Sequence, residues 1–406
     1  MKRVLGYLCA FAMLMSMSVV THAEETSPSL CELAAGYGFK LGAPLSFGQM
    51  YDKKYLSFVT QHFNSLTCTN ETKAYSLLDQ KACQKSPDGM PRMNYTSADV
   101  MVRFAQENGI GVRGHVLVWD AYMPDWFFRE GYQNGKSFVT REVMMARLQS
   151  YIEQVVCHFE DKFPGVIYCW DVVNEAIGDS AAEWDGSDAR HIRTVRSGVP
   201  NYFRDVIGND YVELSFLYAR DAVEKTGADI RLFYNDYNMF YDQKRNAACE
   251  LVKSINSYAV NEDGTYRRLI DGVGMQGYIG GYGTQKGCMN ENDLALMKKS
   301  ILQYASLGVE VNMTELSVRS YEGDDKTMEK HADFYAKLFQ VFMDVNSGED
   351  KPLTGVSIWG VVDCDNLPSN HYTYKLNGPY CGLFNLKLQC KPAYDAVYER
   401  MLGEAE

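Results

Sequence analysis

Short, continuously apolar runs rich in β-branched and aromatic residues recur along the chain. They are separated by longer stretches in which apolar residues return every three or four positions. The runs are Phe39–Ala43, Asn64–Cys68, Val112–Trp119, Val166–Val173, Ile230–Asn235, Gly272–Gly277, Val309–Met313 and Thr354–Val361. Being apolar on both faces, they fit parallel strands covered by helices on each side. The intervening stretches include REVMMARLQSYIEQVVCHF, ELSFLYARDAVEKTG, NDLALMKKSILQYASLG and TMEKHADFYAKLFQVFMDV. Their spacing is that of helices with one buried stripe, and two of them close on Gly, a common helix C-terminal signal. Strand–helix alternation repeated eight times predicts an α/β fold, a parallel sheet closed into a single-domain (β/α)8 TIM barrel. An open, doubly wound sheet is the alternative. It usually carries a Gly-rich nucleotide loop, and the chain has neither GxGxxG nor a P-loop.

In such a barrel the reactive residues sit at the C-terminal ends of the strands, so the polar residues that close the runs are the candidates. The fourth run closes with Asn174 and Glu175, the seventh with Thr314 and Glu315. The third carries His115, Trp119 and Asp120; the fifth Asn235, Asp236 and Asn238; the sixth Gln276 and Tyr278; the eighth Trp359 and Asp363. Two carboxylates across a cleft lined with aromatics and amides suit glycoside hydrolysis. One, kept protonated by its surroundings, donates to the leaving oxygen while the other attacks the anomeric carbon. A carboxylate separation of about 5–5.5 Å implies retention and one of about 6.5–9.5 Å inversion. The Asn174 amide is placed to hold the 2-hydroxyl of the sugar being cleaved, a contact that strengthens in the transition state. Two carboxylates and sugar binding suffice, so no metal and no organic cofactor is expected. Asp236 and Asp363 read as structural residues hydrogen-bonded at strand ends, and Arg113 as part of a network beneath the site.

Composition narrows the partners. The formal net charge is −12 and the sequence pI about 5.2, which argues against nucleic acid and anionic membrane and leaves a neutral polysaccharide as a compatible partner. The N-terminus, MKRVLGYLCAFAMLMSMSVVTHAEETS, has a basic start, an apolar stretch and a small residue at Ala23. Residues 1–23 are therefore expected to be a secretory signal, with the barrel occupying 24–406, an extracellular location and no membrane span in the mature chain. A monomer is expected. Of 11 Cys, Cys9 lies in the signal segment; the rest lack metal-site spacing, and some disulfides are compatible with export, although Cys68 and Cys169 read as buried thiols. Asn70, Asn94 and Asn312 begin glycosylation sequons, those at Asn70 and Asn312 falling inside strand-end motifs and so read as accidental.

These motifs together resemble glycoside hydrolase family 10, a family of mainly endo-β-1,4-xylanases, from about Gly38 to Leu402. WDVVNEAIGD is similar to the family's acid/base motif and implies Glu175 as general acid/base with Asn174 as its sugar-binding neighbour; VNMTELSV resembles the nucleophile motif and implies Glu315. RGHVLVW places His115 and Trp119, and LTCTNETKAY places Asn70 and Lys73, at sugar-binding positions. LFYNDYN, GVGMQ with Gln276, WGVVD with Trp359 and CKPAYDAV also match. The resemblance implies a secreted, retaining endo-β-1,4-xylanase acting on xylan or a related β-glycan. A non-hydrolytic glycan-binding barrel and a β-glycanase of altered sugar preference remain as alternatives because of the departures.

Those departures are Thr69 for a glutamate, Ala74 for a tryptophan, Asp120 for a histidine, Tyr278 for a histidine, Ser317 for an aspartate and Leu367 for a tryptophan. Tyr278 and Ser317 replace a set that holds the nucleophile. A phenol can donate one hydrogen bond to Glu315 but cannot carry positive charge, so an altered pH dependence is expected, with Tyr278 counted among the substrate-site residues. Thr69, Ala74, Asp120 and Leu367 are read as touching sugar positions and not the two glutamates.

Overall fold

The computed structural model describes residues 27–280, 289–363 and 378–403. The expected signal at 1–23 and the departure at Leu367 lie outside them. Eight parallel strands form the barrel: β1 Lys40–Leu45, β2 Ser65–Cys68, β3 Gly111–Gly114, β4 Ile167–Asn174, β5 Arg231–Asp236, β6 Gly272–Met275, β7 Glu310–Val318 and β8 Leu353–Ile358. Each pairs with the next, and β1 closes on β8 through Lys40 opposite Gly355 and Leu41 opposite Val356. The strands are buried almost throughout, as continuous apolar runs flanked by helices must be.

A helix follows every strand: Lys53–His62, Thr96–Glu107, Arg141–Lys162, Tyr211–Thr226, Asp242–Asn256, Glu291–Ala305, Asp325–Val345 and Pro392–Leu402. The start signals are local. Asp52, Thr140, Asn290 and Asp324 each cap a first turn with a side-chain oxygen, and Gly227 ends its helix at φ 72. Among the described residues no helix is long and apolar enough to cross a membrane.

Two strands depart from ideal geometry where the chemistry is expected. In β4 the register against β5 slips between Asp171 and Val173, and in β7 the register against β8 slips between Met313 and Leu316. Such bulges re-aim the side chains that follow or fill them, here Asn174–Glu175 and Thr314–Glu315. Glu175 itself sits at φ 55, in the left-handed region that a non-glycine residue occupies at a cost. The third run was expected to extend to Trp119, yet β3 stops at Gly114. There the backbone passes against the Trp170 ring, and a Cβ would lie 2.3 Å from it, so only glycine fits.

Cys31, Cys68, Cys83, Cys157, Cys169, Cys249 and Cys390 are free thiols, which agrees with the buried-thiol reading of Cys68 and Cys169. Asn312 is buried and hydrogen-bonded to Arg113, so its sequon is closed to glycosylation in the folded chain.

Candidate active site

Glu175 immediately follows β4 and is buried among donors from two other elements. Gln276, at the end of β6, donates from Nε2 to its Oε1 at 2.9 Å, and Arg196 donates from Nη1 to its Oε2 at 2.9 Å. Burial is the largest influence on its proton and raises its pKa to about 7; Arg196 and Gln276 pull it down, Asp236 and Glu315 push it further up. A carboxyl that keeps its proton near neutrality is the environment a general acid needs.

Glu315 lies in the β7 bulge and receives two donors of its own. Asn235 Nδ2, from the end of β5, reaches Oε1 at 3.3 Å, and the Tyr278 hydroxyl donates to Oε2. The phenol–carboxylate contact expected from the sequence is therefore present. Ser317 pairs with Tyr278 in register but is buried with no hydrogen-bond partner for its hydroxyl among the described residues, so it takes no part in holding Glu315. Thr314 Oγ1 donates to Asn235 Oδ1 at 2.6 Å, which fixes which end of that amide faces the carboxylate.

Asn174 joins the two halves. Its Oδ1 accepts from Asn235 Nδ2 at 3.0 Å and from Gln276 Nε2 at 3.5 Å, so an unbroken series of hydrogen bonds runs from Glu175 to Glu315. Its Nδ2 is buried with no partner among the described residues. An unpaired buried donor costs about 1–3 kcal/mol unless something accepts from it, and a sugar hydroxyl is such an acceptor.

Beneath them, His115 Nδ1 meets Asp171 Oδ2 at 2.9 Å, and Asp171 forms a buried pair with Arg113, whose Nη1 donates to Asn312 Oδ1 at 2.8 Å. Arg113 thus serves the network expected of it. On one rim, Lys73 Nζ donates to Asn70 Oδ1 at 3.2 Å and lies 5.0 Å from the Trp119 ring centre and 4.8 Å from that of Tyr122. Burial lowers the Lys73 pKa, opposed by the negative charges of Glu315, Glu175 and Glu71. Trp359 is buried just past the end of β8, its backbone N–H donating to the Leu316 carbonyl in β7. Asp236 and Asp363 are bonded at strand ends as expected, paired with Lys244 at 2.8 Å and Lys391 at 2.7 Å.

Asp120, expected to touch sugar positions and not the two glutamates, bonds neither glutamate directly among the described residues but is linked to one of them. Its carboxylate takes a two-point contact from Arg196, Nε to Oδ2 at 3.0 Å and Nη2 to Oδ1 at 2.9 Å, and Arg196 in turn binds Glu175. Asp120, separated from the end of β3 by five residues, opens a single helical turn, Asp120–Tyr122, which delivers its short side chain to the neighbouring β4 loop. Arg196 escaped the sequence reading altogether. It sits in a small hairpin, Val195–Arg196 against Val199–Pro200, whose turn residues Ser197 and Gly198 have φ 49 and 82. The Ser-Gly pair marks the turn in sequence, but nothing local tells where the hairpin folds back.

The model of glycosyl hydrolase family 10 matches residues 29–400. Endo-1,4-beta-xylanase Y of Acetivibrio thermocellus is 32% identical over 374 residues, covering 91% of this chain and 32% of that protein. The CBM22-1–GH10 modules of Clostridium thermocellum xylanase 10B, solved with xylohexaose, superpose with TM-score 0.75 at 29% identity, over 91% of this chain and 67% of that one. The intracellular xylanase TsXylA of Thermoanaerobacterium saccharolyticum gives TM-score 0.71 at 30% identity, over 92% and 99% of the two chains. The chain spans about a third to a half of the length of the first two curated relatives it matches.

Proposed function

The chain belongs to glycosyl hydrolase family 10, and from that premise we propose that it is an exported endo-β-1,4-xylanase that hydrolyses xylan with retention of configuration. In the first step Glu315 attacks the anomeric carbon, the glycosidic C–O bond breaks, and Glu175 delivers its proton to the departing oxygen. In the second, Glu175, now a carboxylate, takes a proton from water, whose oxygen displaces Glu315 and regenerates both groups. Asn174 Nδ2 meets the 2-hydroxyl in both steps. Asn70, Lys73, His115, Trp119, Gln276 and Trp359 line the sugar path.

The observation that carries this reading is the unequal treatment of the two carboxylates. Each receives two donors, but Glu175, buried beside Asp236, keeps its proton to about 7 despite Arg196 and Gln276, while Glu315 is held by the neutral Asn235 and Tyr278 at the other end of the same hydrogen-bond series. Proton NMR of the products of xylo-oligosaccharide cleavage tests it: the β-anomer should appear first, and initial α-anomer would exclude the double displacement. Reducing-sugar release from a panel of β-glycans separates xylanase action from altered sugar preference. Binding without release would favour a glycan-binding barrel.

The reading also sets a pH profile. The acid must be protonated, so activity on xylan should fall as pH rises through about 7, the value at which Glu175 loses its proton. A profile flat to pH 9 would contradict the assignment of Glu175. The acidic limb should respond to Tyr278. In Tyr278→His an imidazolium replaces a phenol that cannot carry charge, favouring ionised Glu315, and the limb should move to lower pH. An unmoved acidic limb would show that Tyr278 does not govern the nucleophile.

A further inference from the structure

Arg196 faces two carboxylates with one guanidinium. Its Nε–Nη2 edge is taken by Asp120 in a two-point contact, while Nη1 makes a single bond to Glu175 and Nη2 also donates to the Glu175 backbone carbonyl at 2.8 Å. The two-point contact is the stronger and more directional, so Asp120 is the fixed partner and the Glu175 carboxyl the exchangeable one. Asp120 is nearly buried and Arg196 only partly exposed, so neither charge is dissolved in bulk water. With both acids ionised, the trio carries one unbalanced negative charge in a poorly hydrated place, and a proton on Glu175 removes it.

We propose that Asp120 and Arg196 form a positioning pair that holds the Glu175 carboxyl in place and sets the pH at which it exchanges its proton. Arg196 stabilises the carboxylate needed when Glu175 acts as a base. Asp120 consumes most of that cation and so keeps the group able to act as an acid. The other charges facing Glu175 are Asp236 from the end of β5, Glu315 from β7 and Lys73 from the loop after β2. Gln276 from β6 is neutral, and Arg193 reaches the Glu175 carbonyl at 3.4 Å. Of these cations, Arg196 alone is hydrogen-bonded to the carboxyl oxygens among the described residues. Since Asp120 stands where the family resemblance places histidine, the pair accounts for a departure that the substrate path leaves unexplained.

The two members act with opposite sign, and this is what a merely structural role would not produce. Carbon-13 NMR of the full chain with labelled glutamate carboxyls, referenced to Glu175→Gln, reads the Glu175 midpoint directly. Arg196→Met should raise it by about 1–3 pH units, the usual effect of an adjacent opposite charge. Asp120→Asn should lower it, because a like charge is lost and the guanidinium is freed for Glu175. Arg196→Lys, which keeps the charge and perturbs the hairpin least, should stay near the parent value. Midpoints that do not move, or that move in the same direction in Arg196→Met and Asp120→Asn, would overturn the pair. The kinetic consequence rests on the proposed acid/base role of Glu175: the basic limb on xylan should follow the same shifts. If midpoints shift as stated in a protein that does not cleave xylan, the pair stands and the proposed function falls. If xylan is cleaved and the midpoints stay fixed, the pair falls alone.

Discussion

Glu315→Gln should reduce xylan hydrolysis by on the order of 10⁴-fold or more, the scale seen when a covalent nucleophile is removed. The amide is nearly the size of the carboxylate and keeps one oxygen to accept from Asn235 or Tyr278, so the fold should survive. What is lost is the charge and the lone pair that form the bond to the anomeric carbon, and among the described residues no other carboxylate of β7 accepts from both Asn235 and Tyr278. The loss should not depend on the leaving group. Glu175→Gln provides the contrast: an acid is worth about 10²–10⁴-fold on xylan, where the departing sugar needs a proton, and far less on an aryl xyloside with an acidic phenol. Steady-state rates of both variants on both substrates decide the matter. A Glu315→Gln enzyme whose rate recovers on the aryl substrate would exchange the two roles, and one with near-parental rates on xylan would remove Glu315 from the mechanism.

Arg113→Met should cost about 3–5 kcal/mol of stability, the penalty for leaving one partner of a buried ion pair without the other. Arg113 and Asp171 are both 1% exposed, under the barrel's catalytic end. Burial alone would push the Asp171 carboxyl up; Arg113 and His115 outweigh it and hold it below its ordinary value. A carboxyl depressed in the folded state contributes stability above its unfolded value of about 3.9, and that contribution is lost as pH falls through the folded value. The parent chain should thus lose stability on strong acidification partly through this pair. In Arg113→Met the carboxyl becomes costly to ionise and that part of the pH dependence should vanish or invert. Urea unfolding midpoints across pH measure both effects. A loss under about 1 kcal/mol would mean that Asp171 finds water or another cation when Arg113 is gone. The same variant frees Asp171 from its fixed orientation, so His115 should lose its anchor and activity should fall alongside stability.

Much of the barrel was legible because its signals are local. Ile230–Asn235 against β5 Arg231–Asp236, and Val166–Val173 against β4 Ile167–Asn174, differ by a single residue at each end. A strand covered on both faces has to be apolar throughout, and a helix between strands has to carry one apolar stripe, so burial writes itself into the periodicity. The ends were harder. The seventh run was placed at Val309–Met313, whereas β7 continues to Val318 by pairing with Leu353–Ile358 and with Tyr278–Ile279. That continuation depends on partners from distant parts of the chain.

The sequence by itself determined the strand–helix order, the glutamate just past β4 and the one within β7, and the amide beside the first, because each follows from residue type and spacing along one segment. Only the tertiary structure decided what surrounds them: the bulges that turn Glu175 and Glu315, Asn235 spanning both halves of the site, and Arg196 reaching across to Asp120. These are contacts between residues tens of positions apart. Electrostatic coupling depends on distance and burial, and neither is a property of neighbouring letters in a chain.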